Sequence, residues 1–370
     1  MARRVVIDAT PLLYTANGIG RMTRMVIEAV VDGGSSYDVV LFGRRLRGPR
    51  LKDLGLRAKA VHLRLPRAGE GIMKDLNLVE VLCRGDLYHA TDFYLPLERP
   101  ERALATIYDL IFLMQPETMV DHARLAKWAP RFARRCRRII TISESSKADI
   151  VNRLDIDPGR VHVTYPGVDR DLFCPSTDYE GLSKRIGTLL GLPRPFFLGV
   201  SCSEGRKNTP LLLDAYERLW RNDPRNDLVL VWDPPAGVRE RYGSPGLAQR
   251  IHFIGRQSDD VLADLYRSAT ALVFPSLCEG FGLPILEAMS CGCPVIASGT
   301  SSMPEVAGEA AMYIDPRDVT SLTKALEAFE NGDAEIRKFQ RRGLARAARF
   351  SWERCGRETL EVYERCLSEN

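Results

Sequence analysis

Short apolar runs alternate with amphipathic helical stretches along the whole of this chain, and few folds accommodate that alternation. Strand-length and helix-length segments repeated in turn specify a parallel β-sheet with crossover helices on its faces, an α/β architecture. In the first half the candidate strands are 5–7, 39–42, 104–107, 139–142 and 161–165. In the second half they are 196–200, 228–232, 251–254, 271–274 and 295–297. Each set suffices for a doubly wound sheet of its own. The 370 residues are long for one core and comfortable for two. Between the sets, residues 174–195 carry Pro-Ser-Thr-Asp and Leu-Pro-Arg-Pro around one short helix, the pattern of a linker. The expected domains are therefore 1–173 and 174–349, facing each other across a cleft. Helix starts are marked by Thr209-Pro210, by Ser258-Asp259-Asp260, by Pro284 and by Ser351 before Trp352.

Composition excludes several classes. Hydrophobic residues at 45% and charged residues at 27% are ordinary for a soluble globular protein and leave no case for disorder. No apolar run reaches the roughly 18 residues that span a bilayer. Met1 to Arg4 lead directly into an apolar strand rather than a signal peptide, so a cytoplasmic location is expected. Of nine cysteines only Cys291 and Cys293 are close, and they lack the two-residue gap of common zinc knuckles. Reduced, buried thiols are the favoured reading. A net charge of +4 is too small to imply nucleic acid. The basic residues are uneven, however. Arg44, Arg45, Arg47, Arg50 and Lys52 form one cluster, and Arg131, Arg134, Arg135, Arg137 and Arg138 another. Either alone reads as a solvated face; two in one half raise attraction to an anionic membrane or lipid diphosphate as the alternative.

The most informative segment runs from Phe274 through Glu279, Phe281, Gly282, Leu283 and Pro284 to Glu287. A strand enters a glycine-bearing loop and then a helix beginning near Pro284, with Glu279 in the loop and Glu287 in the first helical turn. The amides of Gly282 and Leu283 then lie at a helix N-terminus, which favours an anion such as a diphosphate. A carboxylate in a first turn also suits the helix dipole, so Glu287 has a purely structural alternative. For Glu279 the alternative is a solvated turn carboxylate. Paired acids also serve glycoside hydrolysis, but the glycine and proline pattern between these two points elsewhere.

The segment resembles the Glu-x7-Glu motif of retaining family-4 glycosyltransferases, enzymes of the GT-B fold with two Rossmann-like domains. The resemblance implies that Glu279 contacts donor-sugar hydroxyls, that Glu287 holds the nucleotide ribose, and that Phe281 and Gly282 lie beside the sugar and phosphates. Gly199 to Asn208 contains Arg206-Lys207 after a strand and is similar to the family segment whose Arg/Lys pair binds the donor diphosphate. Physics agrees, because fixed cations aimed at a departing phosphate stabilise the transition state more than the ground state. Asn17-Gly18-Ile-Gly20-Arg21 follows the first strand; a lone Gly-x-Gly is weak, with a tight turn as its plain reading. In the family the equivalent loop reaches the donor phosphate, which assigns Gly18 and Gly20 to donor binding. The segments 141–150, 165–169 and 350–352 also fit, the last before a helix, 350–370, that returns to the first domain.

One departure matters. Thr106-Ile-Tyr108-Asp109 carries Tyr where the family usually has His, so the family's His contact with donor sugar falls either to Tyr108 or to His89, itself equally readable as a core histidine. Asp109 orients the acceptor or caps a local turn. Asp155–Asp157 and Asp169–Asp171 mimic metal-binding Asp-x-Asp pairs, but both fall in ordinary family loops, so no catalytic metal and no bound cofactor are expected. The resemblance implies a hexosyltransferase that retains configuration, donor on the second domain and acceptor on the first. GDP-mannose is the favoured donor, UDP-sugars the runner-up, and a glycan or polyprenyl-linked molecule the acceptor. The rivals are a GT-B nucleotide-sugar 2-epimerase, a pyridoxal-phosphate phosphorylase and a non-catalytic nucleotide-binding module.

Overall fold

The computed structural model describes residues 2–14, 18–32, 37–65, 70–116, 122–191, 195–200 and 205–368. Asn17 of the glycine loop, residues 192–194 of the linker and residues 201–204 of the second motif lie outside them. The chain divides into two units, Met1–Gly167 with Ser351–Asn370, and Val168–Phe350. Residues 168–173, placed ahead of the linker in the sequence reading, pack in unit 2. There Phe173 meets the Tyr266 ring edge-on at 6.1 Å and its carbonyl accepts from Ser290 at 2.6 Å.

Unit 1 holds β1 (Arg4–Asp8), β2 (Asp38–Arg44), β3 (Lys59–Leu63), β4 (Leu87–Ala90), β5 (Ala103–Thr106), β6 (Arg138–Thr141) and β7 (Val161–Val163). They form one sheet in the order β3-β2-β1-β4-β5-β6-β7, parallel throughout. Val5, Val6 and Ile7 are fully buried because helices cover both sheet faces. Unit 2 holds β8 (Phe196–Val200), β9 (Asp227–Val231), β10 (Ile251–Phe253), β11 (Ala271–Phe274), β12 (Val295–Ser298) and β13 (Ala311–Ile314), again parallel, in the order β10-β9-β8-β11-β12-β13. In each sheet the strand order reverses once, between β1 and β4 and between β8 and β11. A ligand binds such a sheet outside the carboxyl ends of the strands at that reversal.

The helix Trp352–Ser368 packs in unit 1 against the helix Gly18–Asp32. Contact is so close that a Cβ on Gly356 would stand 2.7 Å from that of Ala29. Tyr363, Cys366 and Leu367 complete a core with Val5, Ile7, Leu87 and Leu104. The described cysteines are free thiols, and no group of three potential ligands among the described residues could hold a metal. Asp155 ends the helix Glu144–Leu154, Asp157 caps the turn that follows, and Asp169 caps the amides of Asp171 and Leu172. The first basic cluster is not one solvated face, because Arg44 is buried against the Met73 sulfur. No described helix is long and apolar enough to cross a membrane.

Candidate active site

At the carboxyl ends of β8 and β11 the chain brings three of the expected residues together. Arg206 and Lys207 follow β8, and Glu279 lies in the loop after β11. Lys207 Nζ donates to Glu279 Oε1 at 2.7 Å and Arg206 Nη1 to Oε2 at 2.5 Å. The three side chains are 8%, 15% and 7% exposed. Burial by itself raises the Glu279 carboxyl; the Lys207 and Arg206 charges outweigh it and hold the group below its ordinary value. Lys207 also lies 5.0 Å from the Phe274 ring centroid, which steadies a desolvated ammonium. Two buried cations beside one another at this place suit an anion.

The scaffold around this cluster is largely hydrogen-bonded backbone. The Leu277 amide donates to the Arg206 carbonyl at 2.8 Å, joining the two loops. Thr209 is not the cap of the helix Thr209–Trp220; Asn208 holds that position at φ +57°. Its side-chain amide spans instead to the carbonyls of Pro275 and Pro316, at 3.2 and 2.7 Å. Tertiary partners thus outcompete the local cap. Ser301 and Ser302 donate to the Glu279 carbonyl at 2.7 and 2.9 Å, and Ser302 also reaches that of Phe281. Neither serine was singled out from sequence, although the run Ser298-Gly-Thr-Ser-Ser after a strand marks a hydroxyl-rich turn.

Gly282 caps the helix Leu283–Ser290 at φ +104°, a conformation open in practice only to glycine. The Leu283 amide begins the helix and has no carbonyl four residues back to bond. The Phe281 ring turns inward and meets Phe350 edge-on at 5.9 Å, so this residue presents backbone rather than ring to the loop surface. Glu287 is the fifth helical residue, not a first-turn one, which removes the dipole explanation for it. It is buried, and Tyr266 donates to its Oε2 at 3.2 Å.

In unit 1, Gly18 and Gly20 open the helix after β1. A Cβ on Gly18 would meet nothing within 4 Å, so packing among the described residues does not demand glycine there. Asp109 Oδ1 accepts from the Ile111 amide at 2.9 Å and caps the turn Ile111–Met114. His89 lies in β4, 1% exposed, with Nδ1 on the Tyr363 hydroxyl and Nε2 on Thr106, each at 2.7 Å. Burial lowers its pKa to about 3, so it is a neutral core histidine. The Tyr108 hydroxyl donates to the Thr91 carbonyl at 2.7 Å inside the same core. In this structure both side chains are committed to the interior.

Residues 16–172 match the family model of Glycosyltransferase Family 4, and residues 184–346 that of Glycosyl transferases group 1. O-antigen chain mannosyltransferase B of Escherichia coli is 28% identical over 98% of this chain and 99% of that protein. The MMP alpha-(1->4)-mannosyltransferase of Mycolicibacterium hassiacum is 33% identical over 64% of this chain and 56% of that protein. Sucrose-phosphate synthase of Thermosynechococcus elongatus shares the fold at a TM-score of 0.80, with 20% identity over the whole of both chains. The two Rossmann-like sheets are those of the GT-B fold, and the two family matches make the chain a glycosyltransferase. The chain belongs to glycosyltransferase family 4.

Proposed function

We propose that this enzyme is a retaining, metal-independent hexosyltransferase that moves mannose from GDP-mannose onto a glycan or lipid-linked acceptor. The observation that carries the reading is the buried cluster of Arg206, Lys207 and Glu279 at the reversal point of the unit 2 sheet. Two adjacent cations at that point suit a nucleoside diphosphate. As the sugar–phosphate bond breaks, negative charge gathers on the leaving diphosphate, and preorganised cations lower that barrier without reorganising. Arg206 offers a forked donor and Lys207 a point charge. The first-turn amide of Leu283 adds a neutral donor, Glu287 takes the ribose and Glu279 the sugar. The family resemblance assigns Gly18 and Gly20 to donor binding and Asp109 to the acceptor. The mannosyltransferases among its relatives support mannose as the sugar.

The test is a nucleotide panel. GDP should raise the unfolding temperature more than UDP, ADP or dTDP at equal concentration, because the tightest ligand stabilises most by mass action. GDP-mannose should be turned over with GDP release, undiminished by excess EDTA. A larger shift with UDP would move the donor to a UDP-sugar; activity lost to EDTA and restored by Mn²⁺ would end the metal-free reading.

A further inference from the structure

Ser276 stands in the loop after β11 with its side chain 1% exposed. The backbone on either side of it is tied down. Asn208 donates to the Pro275 carbonyl at 3.2 Å, the Leu277 amide donates to the Arg206 carbonyl at 2.8 Å, and Thr300 donates to the Leu277 carbonyl at 3.3 Å. What remains able to turn is the hydroxyl, and it makes no hydrogen bond to any described residue. A buried, unpaired hydroxyl costs stability, so its presence in a folded protein calls for a physical reason.

The reason lies three residues on, at the buried carboxylate of Glu279. Burial raises the pKa of that group; the Lys207 and Arg206 charges lower it, and the Ser276 hydroxyl adds to the lowering. Ser276 is thus close enough to favour the charged carboxylate without being bonded to it. Both carboxylate oxygens are already held, Oε1 by Lys207 at 2.7 Å and Oε2 by Arg206 at 2.5 Å. The main chain of Glu279 is held as well: its amide donates to Ser301 Oγ at 3.2 Å, and its carbonyl accepts from Ser301 and Ser302. Only the side chain can respond when the two cations meet another anion. A carboxylate released there would be buried and uncompensated, which is costly unless another donor replaces the cations.

We infer that Ser276 is a positioning residue for Glu279: its hydroxyl donates to the carboxylate when a donor diphosphate draws Arg206 and Lys207 away, and so keeps that charge in place for the sugar. The inference rests on the donor reading of this cluster. It gives the hydroxyl a charged partner only in the nucleotide complex. Removing the hydroxyl should therefore weaken the complex and spare the free protein.

Ser276→Ala separates the two. In urea unfolding without ligand its midpoint should equal or exceed the parent's, because no hydrogen bond is lost. By calorimetry, whichever of GDP and UDP binds the parent more tightly should bind the variant about tenfold or more weakly, the scale of a hydrogen bond to a charged group. In the Glu279→Gln background the same substitution should cost only about threefold, since its partner is then neutral. Undiminished affinity in Ser276→Ala, an equal loss in both backgrounds, or a variant that is less stable or does not fold would each overturn the assignment and leave the donor site standing. A parent that binds neither nucleotide would overturn the donor reading itself, and this inference with it.

Discussion

Glu279 holds both cations that the proposed function gives to the donor diphosphate, and that sets what its substitution should do. With two cations on its two oxygens, the carboxylate acts as an internal anion. Under the proposed function an incoming diphosphate, with more charge, would compete with it for these cations. Glu279→Gln keeps the shape and removes the competing charge. It should therefore bind nucleoside diphosphate about tenfold more tightly, one charge-assisted bond fewer being broken, while kcat falls. Weaker nucleotide binding in this variant would mean that the carboxylate touches the nucleotide itself. Lys207→Ala should lose roughly two to three orders of magnitude in kcat/KM, the scale of one preorganised donor, and Arg206→Ala on top should cost less than it does alone. Glu287→Gln should mainly raise donor KM and weaken nucleotide affinity, because a ribose contact is nearly the same in ground and transition states. Calorimetry paired with steady-state kinetics separates these variants.

Among the elements, those with a long uniform pattern were legible and those without were not. All ten candidate strands exist, each within a residue or two of its expected bounds. The sheets also contain β3, β4 and β13, which pattern alone did not mark. β4 is Leu-Tyr-His-Ala, four residues at the centre of a sheet, with its polar histidine satisfied by two side chains from elsewhere in the fold. β3 is an exposed edge strand beginning with Lys59 and interrupted by His62, so it shows no continuous apolar run, whereas β13 is a short apolar run, Ala-Met-Tyr-Ile, at the other sheet's edge with Tyr313 partly exposed. Helix pairing is the other feature that local pattern cannot reach. Gly356 looks like a poor choice inside the helix Trp352–Ser368, yet any side chain there meets Ala29 of the helix Gly18–Asp32. Gly356→Leu should accordingly cost roughly 1–3 kcal/mol, seen as a lower urea midpoint at unchanged m. A neutral or stabilising result would mean that the two helices are less closely packed than described.

At the scale of the whole molecule, two buried groups on neighbouring strands of unit 1 oppose each other in their response to pH. His89 accepts a proton below about 6.5 when unfolded but only near 3 when folded, so acid favours the unfolded chain by about 1.4 kcal/mol per pH unit across that window. Asp8 at the end of β1 is raised by burial from 3.8 to about 6. Its contribution is fully present below about 3.8 and is lost as pH rises to about 6. Between about pH 4 and 6 the two slopes cancel. Asp8→Asn can still accept from the Thr10 amide and removes one slope, so its stability relative to the parent should fall by about 1.4 kcal/mol for each unit of acidification from 6 to 4. Parallel urea curves for the two proteins at all pH values would show that Asp8 is not the compensating group.

The sequence by itself determined the fold class and the succession of strands and helices, and it singled out the cationic pair and the two glutamates as candidates, because all of these depend on residue type and short-range spacing. Tertiary structure alone decided which oxygen each cation holds, that Glu287 is oriented by Tyr266, that Asn208 ties two loops instead of capping a helix, and that His89 is neutral. These are matters of distance between residues remote in the chain and of how much water the surrounding side chains exclude. Neither is encoded in any local window, since burial and partner choice arise only when the strands are brought side by side.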